Sequence, residues 1–303
     1  MEAVQKIEED FASKSGLAGG VFFRSGTIAL WMALESLQLP PGSRVAIPPL
    51  VCPQVLAAVQ LARLYPVYID ISPVDFGLDP QALNETPNLQ AIIAVHAFGI
   101  PCQMQQIFEI ASNRQIPVIE DACLGYGLPE MGLGKYSNRV IISFGQDKLI
   151  SAGGGSMVLS DDPSLLSNLR GLRERNPIIS ESGPDILEKI RQGLPSMLAR
   201  AAIRRARSNN YARSLVGRNL KVPQGNALWR YPVVVDVDRR TLMDRAREMG
   251  LFLSTHYHPL HYFQTGTALP IADSVAQRII NLPLSEKFSD AEIANYLDFI
   301  LTS

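Results

Sequence analysis

Six short apolar runs, most of them separated by segments of helix length, constrain the fold of this chain more than any other feature. Val45 to Ile47, Val67 to Ile71, Ala91 to Val95, Val118 to Glu120, Val140 to Phe144 and Met157 to Leu159 are largely continuous rather than alternating, and often β-branched. Between them, Pro53 to Leu64, Gln103 to Arg114 and Pro163 to Arg173 are long enough for helices. A strand that is apolar on both faces must be covered on both, so the pattern predicts an α/β fold with a mainly parallel sheet between helical layers. Ligands of such sheets gather at the carboxyl ends of the strands.

Several polar residues stand at those ends. His96 follows AIIAV, Asp121 follows VIE, and Ser143 closes the next run. Just beyond it Lys148 sits in SFGQDKLISAGGG, between that strand and Gly153, Gly154 and Gly155. Lysine is the side chain that readily forms a Schiff base with an aldehyde cofactor, although a lysine after a strand is also an ordinary solvated charge. Earlier, Arg24 to Thr27 (RSGT) precedes Ile28, Trp31, Met32, Leu34 and Leu37 at helical spacing. A helix is expected to start there with Ser25 or Thr27 at its cap, and Gly26 leaves its first-turn N–H groups open to an anion. A capped core helix with no ligand satisfies the same pattern. His96 is equally readable as a hydrogen-bonded structural histidine.

Composition narrows the partners. The 303 residues carry a net charge of -1, with 47% apolar and 19% charged residues, so nothing draws the chain to nucleic acid or a membrane surface. A small-molecule substrate is expected. Three cysteines without a CxxC pair argue against a disulfide framework or a zinc cluster and suit the cytoplasm. The acidic, helix-like MEAVQKIEEDF opening has no apolar signal region, and no run is long enough to span a bilayer. GxGxxG, Walker A and HExxH motifs are absent, and MGLGKY reads as a hairpin tip between Leu128 and Val140.

From Leu165 to Arg218 the composition shifts. Pro177 to Pro184 is loop-like, and Ser196 to Leu215 reads as a helix bearing Arg200, Arg204, Arg205, Arg207 and Arg213, more readily a solvated linker than a nucleic-acid face. The expected division is a large domain over 1–194, a linking helix over 195–218 and a small α+β domain over 219–303. In that last part, strands are expected at Arg230 to Val237 and near Leu251 to Thr255, with helices over Arg239 to Met249 and Asp290 to Leu301. His256, His258 and His261 in STHYHPLHYF lack the carboxylate or cysteine that would complete a metal set, so no metal is expected and the segment reads as a substrate-facing loop.

Taken in order, these pieces resemble the DegT/DnrJ/EryC1/StrS family of PLP-dependent sugar aminotransferases. The resemblance rests on SGTIAL, VAIPPL with PVYIDIS, HAFGIPCQM, VIEDA, ISFGQDKLISAGGGSMVLSDD, YHPLH and INLPLSEKFSDAEI, which cover most of the chain outside 175–225. It implies fold type I, with a seven-stranded sheet, and pyridoxal 5'-phosphate (PLP) as cofactor. Lys148 matches the lysine that binds PLP covalently and shuttles the α-proton; Asp121 matches the partner of the pyridine nitrogen. Gly26, Thr27 and Ser143 match phosphate-anchoring positions, and His96, His258 and His261 lie in motifs expected on the substrate side. The implied reaction moves an amino group from an amino acid, typically glutamate, to a keto-sugar in polysaccharide, lipopolysaccharide or natural-product synthesis, in a homodimer.

Three departures accompany the resemblance. Cys52 stands where many members place an aromatic residue against the cofactor ring, and Leu124 replaces the Gln or His of EDAAQ or EDAAH. The segment from Arg173 to Leu215 is short and holds no recognisable NYR motif; Tyr211 is a poor substitute. A silent or regulatory homologue, or another PLP enzyme such as a lyase, is the alternative, because a fold does not fix a reaction.

Overall fold

The computed structural model describes residues 2–179, 183–216, 220, 221, 223, 225–263 and 268–303. Helix α1 (Glu2–Ser15) leads into β1 (Gly19–Phe23), followed by α2 (Gly26–Glu35), β2 (Arg44–Ile47), α3 (Pro53–Leu61), β3 (Tyr65–Tyr68), α4 (Pro80–Glu85) and β4 (Ala91–Val95). Then come α5 (Met104–Arg114), β5 (Val118–Asp121), β6 (Val140–Ser143), β7 (Ser156–Ser160), α6 (Pro163–Glu174), α7 (Pro184–Gly193) and α8 (Met197–Leu215). The remainder holds β8 (Leu220–Lys221), β9 (Arg230–Val235), α9 (Arg239–Glu248), α10 (Pro270–Arg278), β10 (Ile279–Pro283) and α11 (Asp290–Leu301).

The first seven strands form one sheet in the order β1-β7-β6-β5-β4-β2-β3, and β7 alone runs against its neighbours. Six carboxyl ends therefore share one edge of the sheet. The α/β expectation is met, and the seventh strand is β1. Its Gly19 and Gly20 have poor strand propensity, but Cβ atoms there would fall 2.5 Å from Leu166 Cδ1 and Met157 Sδ. The glycines let β1 lie tightly against α6 and β7.

Side chains alternate between the two faces of a strand. Ile93, Val95, Ile119 and Ile141 enter the largest core with Ala29, Leu30, Met32, Ala33 and Leu34 of α2. Each such buried Leu or Met contributes about 1.5–3 kcal/mol. Ile92, Ala94 and Val118 face the other way, toward α5. Asp121 and Ser143 follow the first set, while His96 and Glu120 follow the second.

A small antiparallel sheet, β10-β9-β8, lies in the C-terminal part, and the largest core continues into it through Val233, Ile280 and Leu282. The strand expected near Leu251 to Thr255 is a single bridge, Ser254 to Asn281, and β10 instead pairs with β9. The hairpin expected around MGLGKY is not formed: a 3-10 turn over Pro129–Met131 precedes a loop, and Val140 opens a strand parallel to β5. Asp70 joins the two parts, accepting the N–H groups of Ile271 and Ala272 at 3.0 and 2.9 Å at the start of α10.

At the sheet's carboxyl edge the loops after β4 and β5 touch backbone to backbone. A Cβ on Gly125 would lie 2.6 Å from Gly99 Cα, and Gly99 itself has φ +79. Neither chain can move aside cheaply. Gly125→Ala is expected to cost about 1–3 kcal/mol in urea unfolding; an unchanged midpoint would show that the two loops are free to separate.

Candidate active site

Helix α2 begins at the carboxyl end of β1. Ser25 is extended (φ -156, ψ 159) and caps it, its Oγ accepting the Ile28 N–H at 3.4 Å while its carbonyl accepts Ala29 N–H. The N–H groups of Gly26 and Thr27 fall outside the helix ladder, at its positive end. A Cβ on Gly26 would stand 3.6 Å from Ser143 Oγ and 3.9 Å from Cys123 Sγ, so the glycine keeps this corner open. Thr27 Oγ1 donates to Gln54 Oε1 at 2.6 Å, tying the start of α2 to that of α3.

Asp121 ends β5, buried. One of its oxygens accepts the Cys123 N–H at 2.9 Å, leaving the other to a ligand. Burial, then the Asp121 charge, pushes the Cys123 thiol well up, with Lys148 opposing and Cys52 adding to the rise. Cys123 is therefore a neutral thiol around which Asp121, Lys148 and Cys52 converge. Cys52 starts α3, and Tyr257 reaches it from the C-terminal loop; burial first, then Cys52, pushes the Tyr257 hydroxyl up to about 12.

Lys148 sits on a loop that is fastened at several points. Tyr126 Oη donates to the Ser143 carbonyl at 3.0 Å and accepts the Ile150 N–H at 3.2 Å, clasping both ends of the segment that carries the lysine. Gly155 N–H donates to Arg24 O at 2.8 Å and Phe144 N–H to Gly155 O at 2.9 Å, which binds the loop to the RSGT turn. Burial keeps Tyr126 protonated by pushing its hydroxyl far up. The Lys148 amine lies 5.9 Å from the centre of the Trp229 ring, a cation–π contact.

The structure thus brings Gly26, Thr27, Ser143, Asp121, Lys148 and Cys52 to one end of the sheet. Leu124 is half-buried beside them, its carbonyl against Gly99. Three expected substrate-side histidines do not join this group. His96 is fully buried on the opposite face, where its Nδ1 accepts the Cys102 N–H at 3.2 Å and its Nε2 meets Glu120 at 2.9 Å. His261 is buried against Tyr68 and bonded to Asp273 at 3.1 Å. His258 is exposed.

The histidine that faces inward is His256. Its ring packs 4.4 Å from that of Phe98 and 6.2 Å from that of Trp229, and its Nε2 bonds to Leu50 O at 3.1 Å. His256 was read only as one of three histidines on a substrate-facing loop, and Tyr126, Trp229 and Arg230 were not singled out by sequence reasoning. The GYG around Tyr126 and the WR pair opening β9 are their only local signals.

The donor set fits PLP: two free N–H groups and a serine hydroxyl suit a phosphate, a carboxylate suits a pyridinium nitrogen, and an amine suits an aldehyde. Comparison with known proteins agrees. Residues 2–227 and 191–300 match the model of the DegT/DnrJ/EryC1/StrS aminotransferase family. The chain is 29% identical over 316 residues to UDP-N-acetyl-3-dehydro-alpha-D-glucosamine 3-aminotransferase of Acidithiobacillus ferrooxidans, covering 95% of this chain and 85% of that one. It is 32% identical to GDP-perosamine synthase of Caulobacter vibrioides over 56% of this chain and 47% of that one. The crystal structure of NtdA from Bacillus subtilis with bound cofactor PMP superposes with a TM-score of 0.85 at 24% identity, covering 99% of this chain and 76% of that one.

Two outcomes follow from this geometry. Tyr126→Phe removes a bond from each end of the lysine loop and is expected to cost about 1–3 kcal/mol and to loosen PLP, read by thermal melting and cofactor dialysis. Burial, with Arg230 adding to it against the Leu50 bond, pushes His256 down to about 4. The unfolded chain then takes up a proton before the folded one does, so stability present above pH 6.5 is lost as pH falls toward 4, by up to about 3 kcal/mol. His256→Gln is expected to flatten that part of the stability profile.

Proposed function

We propose that this chain, which belongs to the DegT/DnrJ/EryC1/StrS aminotransferase family and is thereby a PLP-dependent aminotransferase, moves the amino group of glutamate onto the keto group of a nucleotide-linked sugar. The observation that carries this reading is the convergence of Lys148, Asp121 and Cys123 beside Ser143 and the open start of α2. The names of the relatives, a UDP-N-acetyl-3-dehydro-alpha-D-glucosamine 3-aminotransferase and a GDP-perosamine synthase, support the substrate class.

PLP, when bound, supplies an electron-accepting ring that carries the amino group between the two substrates. Gly26, Thr27 and Ser143 would hold its phosphate, and Asp121 its ring nitrogen. A carboxylate there keeps the nitrogen protonated, because the opposite charge favours the charged form. Lys148 would hold the cofactor through its aldehyde and would supply the amine that moves the α-proton as a general base and acid. Its loop is clasped by Tyr126, which would keep the amine in place while substrates exchange. Cys123, held as a neutral thiol, offers no competing nucleophile.

A homodimer belongs to the same reading. Ile178, Leu198, Ile203 and Val216 are exposed and apolar, and light scattering at twice the chain mass is the expected result. The three free cysteines suit a reducing cytoplasm.

Purified protein given PLP is expected to show a visible absorbance band that L-glutamate bleaches and a keto acid restores. Lys148→Ala should lose the restoration and drop turnover by at least about 10³-fold. A parent protein without the band after PLP is added would overturn the reading, and a band indifferent to amino acids would point away from transamination.

A further inference from the structure

Trp229 carries two cations. Lys148 Nζ lies 5.9 Å from its ring centre and the Arg230 guanidinium carbon 4.4 Å from it, so one indole carries both the arginine and the lysine expected to hold the cofactor. Arg230 opens β9 and is held in place. Its Nη1 donates to Ser254 Oγ at 2.8 Å, and Ser254 is fixed in turn by the Asn281 N–H on its carbonyl at 2.8 Å. A guanidinium stacked on an indole and bonded at one edge has lost little freedom still to lose on binding.

Its charge is poorly matched by the protein. The carboxylate beside it is that of Asp147, 3.9 Å from Nη2 and so too far for a hydrogen bond, and Asp147 also faces Lys287 at 3.5 Å. Two cations thus share one half-exposed carboxylate, and Arg230 is 31% exposed. Among the described residues Ser254 is the hydrogen-bond partner recorded for this fork of five N–H groups.

From this we propose that Arg230, backed by Trp229, receives a carboxylate of the amino-acid donor; the proposal rests on the aminotransferase reading above. A donor amino acid bears its carboxylate on the same carbon as the nitrogen it gives up, so a guanidinium on the indole that Lys148 also contacts is within the neighbourhood that carboxylate enters. The phosphates of a nucleotide sugar are separated from the keto carbon by the sugar ring. A planar guanidinium grips a carboxylate through two parallel hydrogen bonds, which a lysine cannot do. Asp147 occupies that fork weakly in the absence of donor and gives way to it.

The test uses glutarate, a dicarboxylate without an amino group, titrated calorimetrically into the PLP-loaded protein. Arg230→Met is expected to weaken glutarate binding at least about tenfold and raise the KM for glutamate more than it lowers kcat. Arg230→Lys should fall between the two, and Asp147→Asn, which accepts the local φ of 61, should bind glutarate more tightly. An unchanged PLP band in each variant shows that the fold and cofactor site persist. A KM rise shared by glutamate and alanine assigns the α-carboxylate, and a rise for glutamate alone assigns the side-chain one. Equal glutarate affinity in Arg230→Met and the parent would overturn the proposal. A parent that takes up no PLP would overturn the aminotransferase reading instead, and the absorbance shows it before glutarate is added.

Discussion

Everything at the candidate site depends on the alignment of strand ends. With β7 alone reversed, six strands deliver their carboxyl ends to one edge, and the ends of β1, β2, β5 and β6 lead into the residues of the site. β1 hands over to the open start of α2, β5 ends on Asp121, and β6 ends on Ser143. The chain must then leave β6, present Lys148 and return as β7 at the same edge. That reversal would be mobile if left alone. The Tyr126 hydroxyl, bonded to Ser143 O and Ile150 N, closes it from below, and Gly155 ties it to Arg24.

Charge is arranged around this frame with little waste. Asp121 spends one oxygen on the Cys123 N–H and keeps the other for a ligand. Burial and the Asp121 charge hold Cys123 neutral, which under the proposed function leaves Lys148 as the nucleophile of the cluster. Histidines take structural parts. His96 locks β4 to β5 through Glu120, and His256 stays neutral in an aromatic nest that also seats Trp229. Arg230 rests on the Trp229 indole, bonded at one edge to Ser254 and only loosely matched by Asp147.

Much of this was legible in the residues themselves. Continuous apolar runs gave the sheet, and the polar residues that follow them gave Asp121, Ser143 and Lys148. His96 was misplaced because position after a strand says nothing about face: one residue beyond Val95 the side chain points to the α5 side. β1 escaped notice because Gly19 and Gly20 look like a loop until α6 and β7 are seen pressing on them. Tyr126 and Arg230 act through partners 17 to 24 residues away, a range over which periodicity carries no information. The resemblance supplied the cofactor, which no spacing in the chain could have done.

The central claim is that Lys148 is the residue that holds PLP. Borohydride reduction of the PLP-loaded protein, followed by proteolysis and peptide mass mapping, tests it directly. One pyridoxyl phosphate fixed on the peptide containing Lys148, and absent from all others, is the predicted result. A label on a different lysine, or none at all in protein that carries the visible band, would contradict it.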